Sequence, residues 1–174
     1  MKSNLFVLSL LGILLVVGCR PPDPNVDPSG ENEFESHEIV GEISKENMSY
    51  GEMFYVPIYS DIYIDPQNQN SLLAATLSIR NTSFVDSLFV SRIDYYNTEG
   101  DKVKSFIDNA ISIPPMATIN YVIEKDDTSG GPGANFIVDV NAKKSNAKPI
   151  IQAIMIGQHL NRGFSFTTEG YSIK

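Results

Sequence analysis

Residues 72–81 read LLAATLSIRN, and their alternation limits what the chain can fold into. Leu73, Ala75, Leu77 and Ile79 fall on one face of an extended segment, and Ala74, Thr76, Ser78 and Arg80 on the other. A period of two belongs to a strand with one face in a core. Other segments follow the same pattern. MFYVPIYSDIYI reads as one or two strands, with Pro57 pointing to an edge or a bulge because proline cannot donate to a ladder. LFVSRIDYYN, the turn TEGDK and KVKSFI form a hairpin. ISIPPMATINYVIE breaks at its Pro-Pro pair and then places Ile119, Tyr121 and Ile123 on one face. ANFIVDVNA groups Phe136, Val138 and Val140, and GFSFTTEGYSIK closes the chain. PIIQAIMIG is apolar on both faces, which suits a central strand. SNAKPIIQAIMIGQHL comes nearest to a helix, but Pro149, Gly157 and its isoleucine pairs favour a strand. Roughly seven to eight short strands predict an all-β fold: an antiparallel β-sandwich, immunoglobulin-like, with a small β-barrel as the alternative.

The N-terminus adds a location. Lys2 precedes an apolar run from Leu5 to Val17, broken only by Ser9 and Gly12. That is shorter than the roughly 20 apolar residues of a membrane span and has the length of a secretory leader's core. Val16-Val17-Gly18-Cys19 resembles the lipobox of bacterial lipoproteins. The resemblance implies that the Cys19 thiol takes a diacylglyceryl group, that residues 1–18 are removed as a signal peptide, and that the new N-terminus is acylated again. Cys19 is the only cysteine, so the chain can form no internal disulfide and the fold must rest on its core. Stable anchoring takes more than one acyl chain, which such a residue supplies. By resemblance to enterobacterial sorting, Arg20 permits transfer to an outer membrane where the host has one.

Residues 19–49 hold prolines, glycine and many acids but few large apolar side chains, and read as an acidic, Pro-rich flexible tether. About 30 such residues typically span about 30 Å. Residues 50–174 make one domain with its own core. Without residues 1–18 the chain keeps 12 basic and 21 acidic residues, a net charge of about −9. Such a balance argues against nucleic acid and against anionic lipid surfaces as partners. The expected partners are the membrane, through lipid on Cys19, and an envelope protein or glycan.

Catalytic chemistry finds little to work with. His37 falls in the tether and His159 in the loop-like GQHLNRG, which leaves no evident nucleophile–base set, so the chain reads as a non-enzymatic module with no catalytic residues. The same counts exclude a His/Cys zinc site. Asp61, Asp65, Asp94, Asp108, Asp126, Asp127 and Asp139 allow the alternative of a carboxylate hydrolase of envelope glycan or peptide, but with no specific spacing. Eight tyrosines offer a ligand groove or, more simply, half-buried strand positions.

Residues 124–138, EKDDTSGGPGANFIV, stand out. A phosphate loop needs Gly-Lys-Ser/Thr leading into a helix. Here there is no lysine and a strand follows. Glu124, Asp126, Asp127, Thr128, Ser129 and Asn135 carry oxygen ligands, which makes calcium the one cofactor worth testing, in a calcium-stabilised structural module. Gly130, Gly131 and Gly133 fit backbone geometry in a long connection. Asp126 to Asn135 is therefore the candidate ligand or metal loop.

FYVPIYSDIY, LAATLSIRNTS, RIDYYNTEGDKVKSF, EKDDTSGGPGANFIVDV and PIIQAIMIG, in that order, resemble a family of bacterial exported proteins defined only as a domain of unknown function. The resemblance covers most of residues 54–168. It implies that Arg80, Asn81, Thr82 and the Gly-rich loop belong to a shared pattern, and it brings no activity.

Overall fold

Alternating side chains leave each strand with one apolar face, and two such faces bury each other. The computed structural model describes residues 48–64, 70–144 and 148–174. The expected leader and all but the last two residues of the expected tether lie outside the described residues, as do Cys19, Arg20, His37 and Asp65. Among those described there are eleven strands and no helix. They are β1 (Tyr50–Pro57), β2 (Asp61–Tyr63), β3 (Asn70–Arg80), β4 (Leu88–Tyr96), β5 (Lys102–Ser105), β6 (Ile111–Ile113), β7 (Thr118–Ile123), β8 (Asn135–Ala142), β9 (Ile150–His159), β10 (Arg162–Glu169) and β11 (Tyr171–Ser172).

One sheet runs β11-β1-β8-β4-β5, with β6 also on β4; the other runs β10-β9-β3-β2, with β7 also on β3. Every pairing is antiparallel. The sheets face each other as a sandwich and do not close into a barrel. Leu73, Ala75, Leu77 and Ile79 of β3 and Ile151, Ala153 and Met155 of β9 are buried, as are Val56 of β1, Val90, Ile93 and Tyr95 of β4 and Phe136, Val138 and Val140 of β8. Together they form one core cluster. Each Val, Leu, Ile, Met or Phe among them contributes about 1.5–3 kcal/mol when fully buried.

The strand count exceeds the expected seven to eight. β2, β6 and β11 hold three, three and two residues, too few to show a period. β9 is central, between β10 and β3, but it is not buried on both faces. Ile156 and Ile150 point outward and are exposed. Pro57 closes β1 at a point β11 no longer reaches, since β11 pairs only with Phe54 and Tyr55.

Register defines two ends. At the near end Tyr50 opposes Ala142, Ala142 opposes Leu88, and Leu88 opposes Ile113. At the far end Pro57 and Tyr96 both oppose Asn135. In the other sheet Arg80, Thr118 and Ile150 lie toward the near end, and Leu73 and Gly157 toward the far end.

Candidate functional site

The Gly-rich stretch is the connection from β7 to β8, so it crosses between the sheets at the far end. Its first turn is closed by the Asp127 amide donating to the Glu124 carbonyl at 3.0 Å. The amide and hydroxyl of Ser129 both donate to one oxygen of Asp127. Thr98, from the β4–β5 hairpin, then grips the glycines. Its amide and hydroxyl donate to the Gly130 carbonyl at 2.9 and 3.0 Å, and its hydroxyl accepts from the Gly133 amide at 2.9 Å. The amide and hydroxyl of Ser60 donate to the Gly131 carbonyl, each at 3.2 Å, and the Ile58 amide donates to the Ala134 carbonyl at 2.9 Å. Asn135 opens β8 and is buried.

The glycines serve this packing. Gly131 adopts φ +73°, a region that disfavours other residues. A Cβ on Gly130 would collide with the Tyr95 hydroxyl. The carbonyls of Gly130, Gly131 and Ala134 are thus turned into the fold, while Glu124, Asp126, Thr128 and Ser129 stay exposed. Among the described residues no group of three or more His, Cys, Asp or Glu side chains is placed to hold a metal ion.

The acidic start of the same connection borders open space. A cleft of about 420 Å³ lies between β5 and β7, where the edges of the two sheets approach each other. Tyr95, Phe106 and Tyr121 supply its aromatic lining, Lys104 one side, and Glu124, Asp126 and Asp127 the rim. The rings of Phe106 and Tyr121 have centroids 3.7 Å apart, and Phe106 also contacts Tyr95 and Phe136 at 6.3 and 5.8 Å. Lys104 Nζ sits 5.1 Å from the Phe106 centroid and 5.7 Å from that of Tyr121, and donates to the Tyr121 hydroxyl at 3.1 Å. A cation this close to both ring faces is attracted to each. Glu124 and Asp126 are exposed and Asp127 half-buried.

Two buried groups stand behind this end. The Tyr95 hydroxyl has no hydrogen-bond partner. Burial first, then the charge of Asp127, pushes its pKa up; the nearby hydroxyls of Ser129 and Ser60 oppose the shift without reaching bonding geometry. Asp61 accepts from Asn70 Nδ2 at 3.0 Å, and burial raises its pKa.

The other shared-pattern segment lies elsewhere. Asn81, at the near end, is buried. Its Nδ2 donates to the carbonyls of Asp86, Ile113 and Pro114 at 2.8, 3.0 and 3.0 Å, and its Oδ1 accepts from the Ser83 amide at 2.9 Å. Thr82 Oγ1 donates to the Lys148 carbonyl at 2.6 Å, and Arg80 is exposed. Arg80, Asn81 and Thr82 therefore do not join the Gly-rich loop in one site. His159 ends β9 at the far end, before a two-residue turn in which Leu160 and Asn161 have φ of 46° and 63°. Asp94 and Asp139 belong to an outer-face network with Arg92 and Lys102. Tyr63 and Tyr171 are exposed on strands of different sheets, so the tyrosines line no single groove. Sequence reasoning missed Lys104 and Phe106, whose neighbours across the cleft come from β7.

Residues 51–173 match the family described as "Protein of unknown function (DUF3124)". No curated protein matches the chain. Among solved structures, the crystal structure of Thermotoga maritima 1070 is similar at 18% identity and a TM-score of 0.39, covering 71% of this chain and 96% of that one. The Anabaena sensory rhodopsin transducer is similar at 15% identity and a TM-score of 0.30, covering 59% and 85%. Likenesses this loose bear on neither site nor function.

Proposed function

The chain belongs to this family of unknown function, and we propose from its own residues that it is a lipid-anchored, non-enzymatic binding module of the cell envelope whose ligand enters the cleft between β5 and β7. The observation that carries the reading is the cleft itself. An apolar, aromatic lining with a few convergent polar groups is the usual make-up of a ligand site. Here Phe106 and Tyr121 form the apolar part, and Lys104, Glu124 and Asp126 supply one donor and two acceptors around it. A sugar ring matches that set, with a C–H face for the aromatic lining and hydroxyls for the charged rim. The loop is stiffened by Thr98 and Ser60, so its rim is organised before any ligand arrives.

Titration with an N-acetylglucosamine–N-acetylmuramate disaccharide tests this. Binding should be detected by calorimetry and weakened at least about tenfold, or 1.4 kcal/mol, by Lys104→Ala and by Glu124→Gln/Asp126→Asn. Unchanged affinity in both variants would remove the cleft from the proposal. The anchor has a separate test. Cys19→Ser should abolish palmitate labelling and release the protein from membranes, and continued labelling would refute the lipobox reading.

A carboxylate hydrolase has one observation in its favour: Glu124, Asp126 and Asp127 share a single rim. A general acid of that kind depends on a desolvated carboxyl, and Glu124 and Asp126 lie exposed. Release of reducing ends from envelope glycan, lost in Asp127→Asn, would promote this reading over simple binding.

A further inference from the structure

The near end of the sandwich carries exposed apolar and basic side chains on adjoining loops. Phe84, Val85 and Met116 are 82%, 74% and 57% exposed there. Single exposed apolar residues are ordinary, but these sit together on two cross-braced loops. Phe84 and Val85 belong to the β3–β4 connection, and Met116 to the β6–β7 turn. The Met116 amide donates to the Ser83 carbonyl at 3.1 Å, and the Asn81 amide group spans both loops. Met116 adopts φ 60°, a strained conformation for a side-chain-bearing residue. An exposed methionine held there contributes nothing to the core, and such outliers gather at functional positions.

Cations surround these loops. Lys143, Lys148 and Arg80 are exposed at the same end, and Lys144 pairs with Asp86 at 2.9 Å. Glu52, the nearest carboxylate on β1, accepts from the Tyr50 hydroxyl. The net charge of the chain therefore hides a local basic rim.

The tether joins the fold here too. Tyr50 begins β1 beside Ala142, and the Ser49 hydroxyl donates to the Lys143 carbonyl at 2.6 Å. About 30 residues separate Cys19 from this point in the sequence, so of the two ends of the domain the near end is the one closest along the chain to the proposed anchor. We propose that this end docks on the membrane surface, with Phe84, Val85 and Met116 entering the headgroup region and Lys143 and Lys148 meeting anionic headgroups. The proposal rests on the anchoring reading above for its effective concentration. A contact too weak to recruit a free protein suffices once the chain is tethered. The far-end cleft then faces away from the bilayer.

The absence of tryptophan supplies the probe. Phe84→Trp makes residue 84 the sole indole, and Leu160→Trp places one at the far end, where Leu160 is 83% exposed. Each full-length protein is placed with vesicles of phosphatidylethanolamine and phosphatidylglycerol, and attachment is read by flotation. The Phe84→Trp emission should shift to the blue and be quenched by brominated acyl chains, while the Leu160→Trp emission should do neither. Lys143→Glu/Lys148→Glu in the Phe84→Trp background should reduce the shift. Attachment with water-like emission at position 84 overturns the docking and leaves the anchor standing. A blue shift without attachment of the protein does not come from the bilayer and overturns the docking. A shift that follows protein concentration without vesicles assigns the surface to a second copy and overturns the proposal.

Discussion

The Tyr95 hydroxyl occupies the space that a Cβ at position 130 would need, so Tyr95 and Gly130 exclude any larger pair. The Ala134 Cβ closes the same space from the other side at 2.8 Å. Gly130→Ala should therefore cost about 1–3 kcal/mol, the usual penalty of overpacking. Tyr95→Phe removes a buried hydroxyl that has no partner and should leave stability unchanged or raise it. In the double variant the two effects should not add, because the missing oxygen relieves the worst of the clash and leaves only the contacts of the new methyl with the ring Cζ at 2.7 Å and the Ala134 Cβ at 2.8 Å. Urea denaturation of all four proteins measures the coupling. Strict additivity would show that the clash is relieved elsewhere in the loop.

Alkaline pH should expose the same tyrosine. Burial raises the pKa of Tyr95 and, more strongly, of Tyr50 above the ordinary 10.0, with Glu52 adding to the second. Both are neutral in the folded and unfolded states below pH 10, so their contribution is intact there. As pH rises above 10 the unfolded chain loses these protons and the native one keeps them, so stability falls by up to about 1.4 kcal/mol per pH unit for each group. Tyr95→Phe should flatten that alkaline limb of stability against pH. A slope identical to that of the parent would mean that Tyr95 titrates as freely in the native state as in the unfolded one.

How much of this was legible follows from the range of each signal. The alternation of Leu73, Ala75, Leu77 and Ile79 is local, and the buried face is the one the alternation predicts. The same holds for Ile119, Tyr121 and Ile123. The outward Ile156 misled because hydrophobicity alone does not tell a buried face from a sparsely covered one. The Gly-rich loop was visible as a loop, but its reason was not. Gly130 is explained by Tyr95, 35 positions earlier in the chain, and only the pairing of β4 with β8 brings the two together. Lys104 and Phe106 were unreadable as site residues for the same cause, since β5 and β7 belong to different sheets. Phe84, Val85 and Met116 did carry a signal: bulky apolar residues inside segments otherwise written in turn residues.

Asn81 separates a fold signature from a binding motif. Its side chain satisfies carbonyls of two connections and of the last residue of β6, and one amide, all within the fold. Asn81→Ala should cost at least about 1–3 kcal/mol, because buried acceptors lose their donor. Asn81→Asp should do no better, since a carboxylate cannot donate to three carbonyls. Arg80→Ala, at an exposed position, should stay within about 0.5 kcal/mol of the parent. Thermal unfolding ranks the three, and hydrogen exchange at the Ser83 and Met116 amides should quicken only in the Asn81 variants. An Asn81→Ala protein as stable as the parent would return this segment to the list of candidate binding residues.

Met116 offers the sharpest separation of stability from surface function. It follows Pro115 in a turn closed by the Ala117 amide donating to the Pro114 carbonyl at 3.1 Å, with φ of 60° at the position where a type II turn favours glycine. Left-handed backbone costs a side-chain-bearing residue about 1–2 kcal/mol, and glycine gives back about 0.4–1 kcal/mol through its freer unfolded chain. Met116→Gly should therefore be neutral to about 1 kcal/mol more stable. Met116→Ala keeps the Cβ and should gain nothing. On vesicles the two should behave alike, because both delete the exposed thioether and weaken contact of the near end with lipid. A glycine variant less stable than the alanine one would show that the turn is not strained. Undiminished lipid contact in both variants would assign docking to Phe84 and Val85 alone.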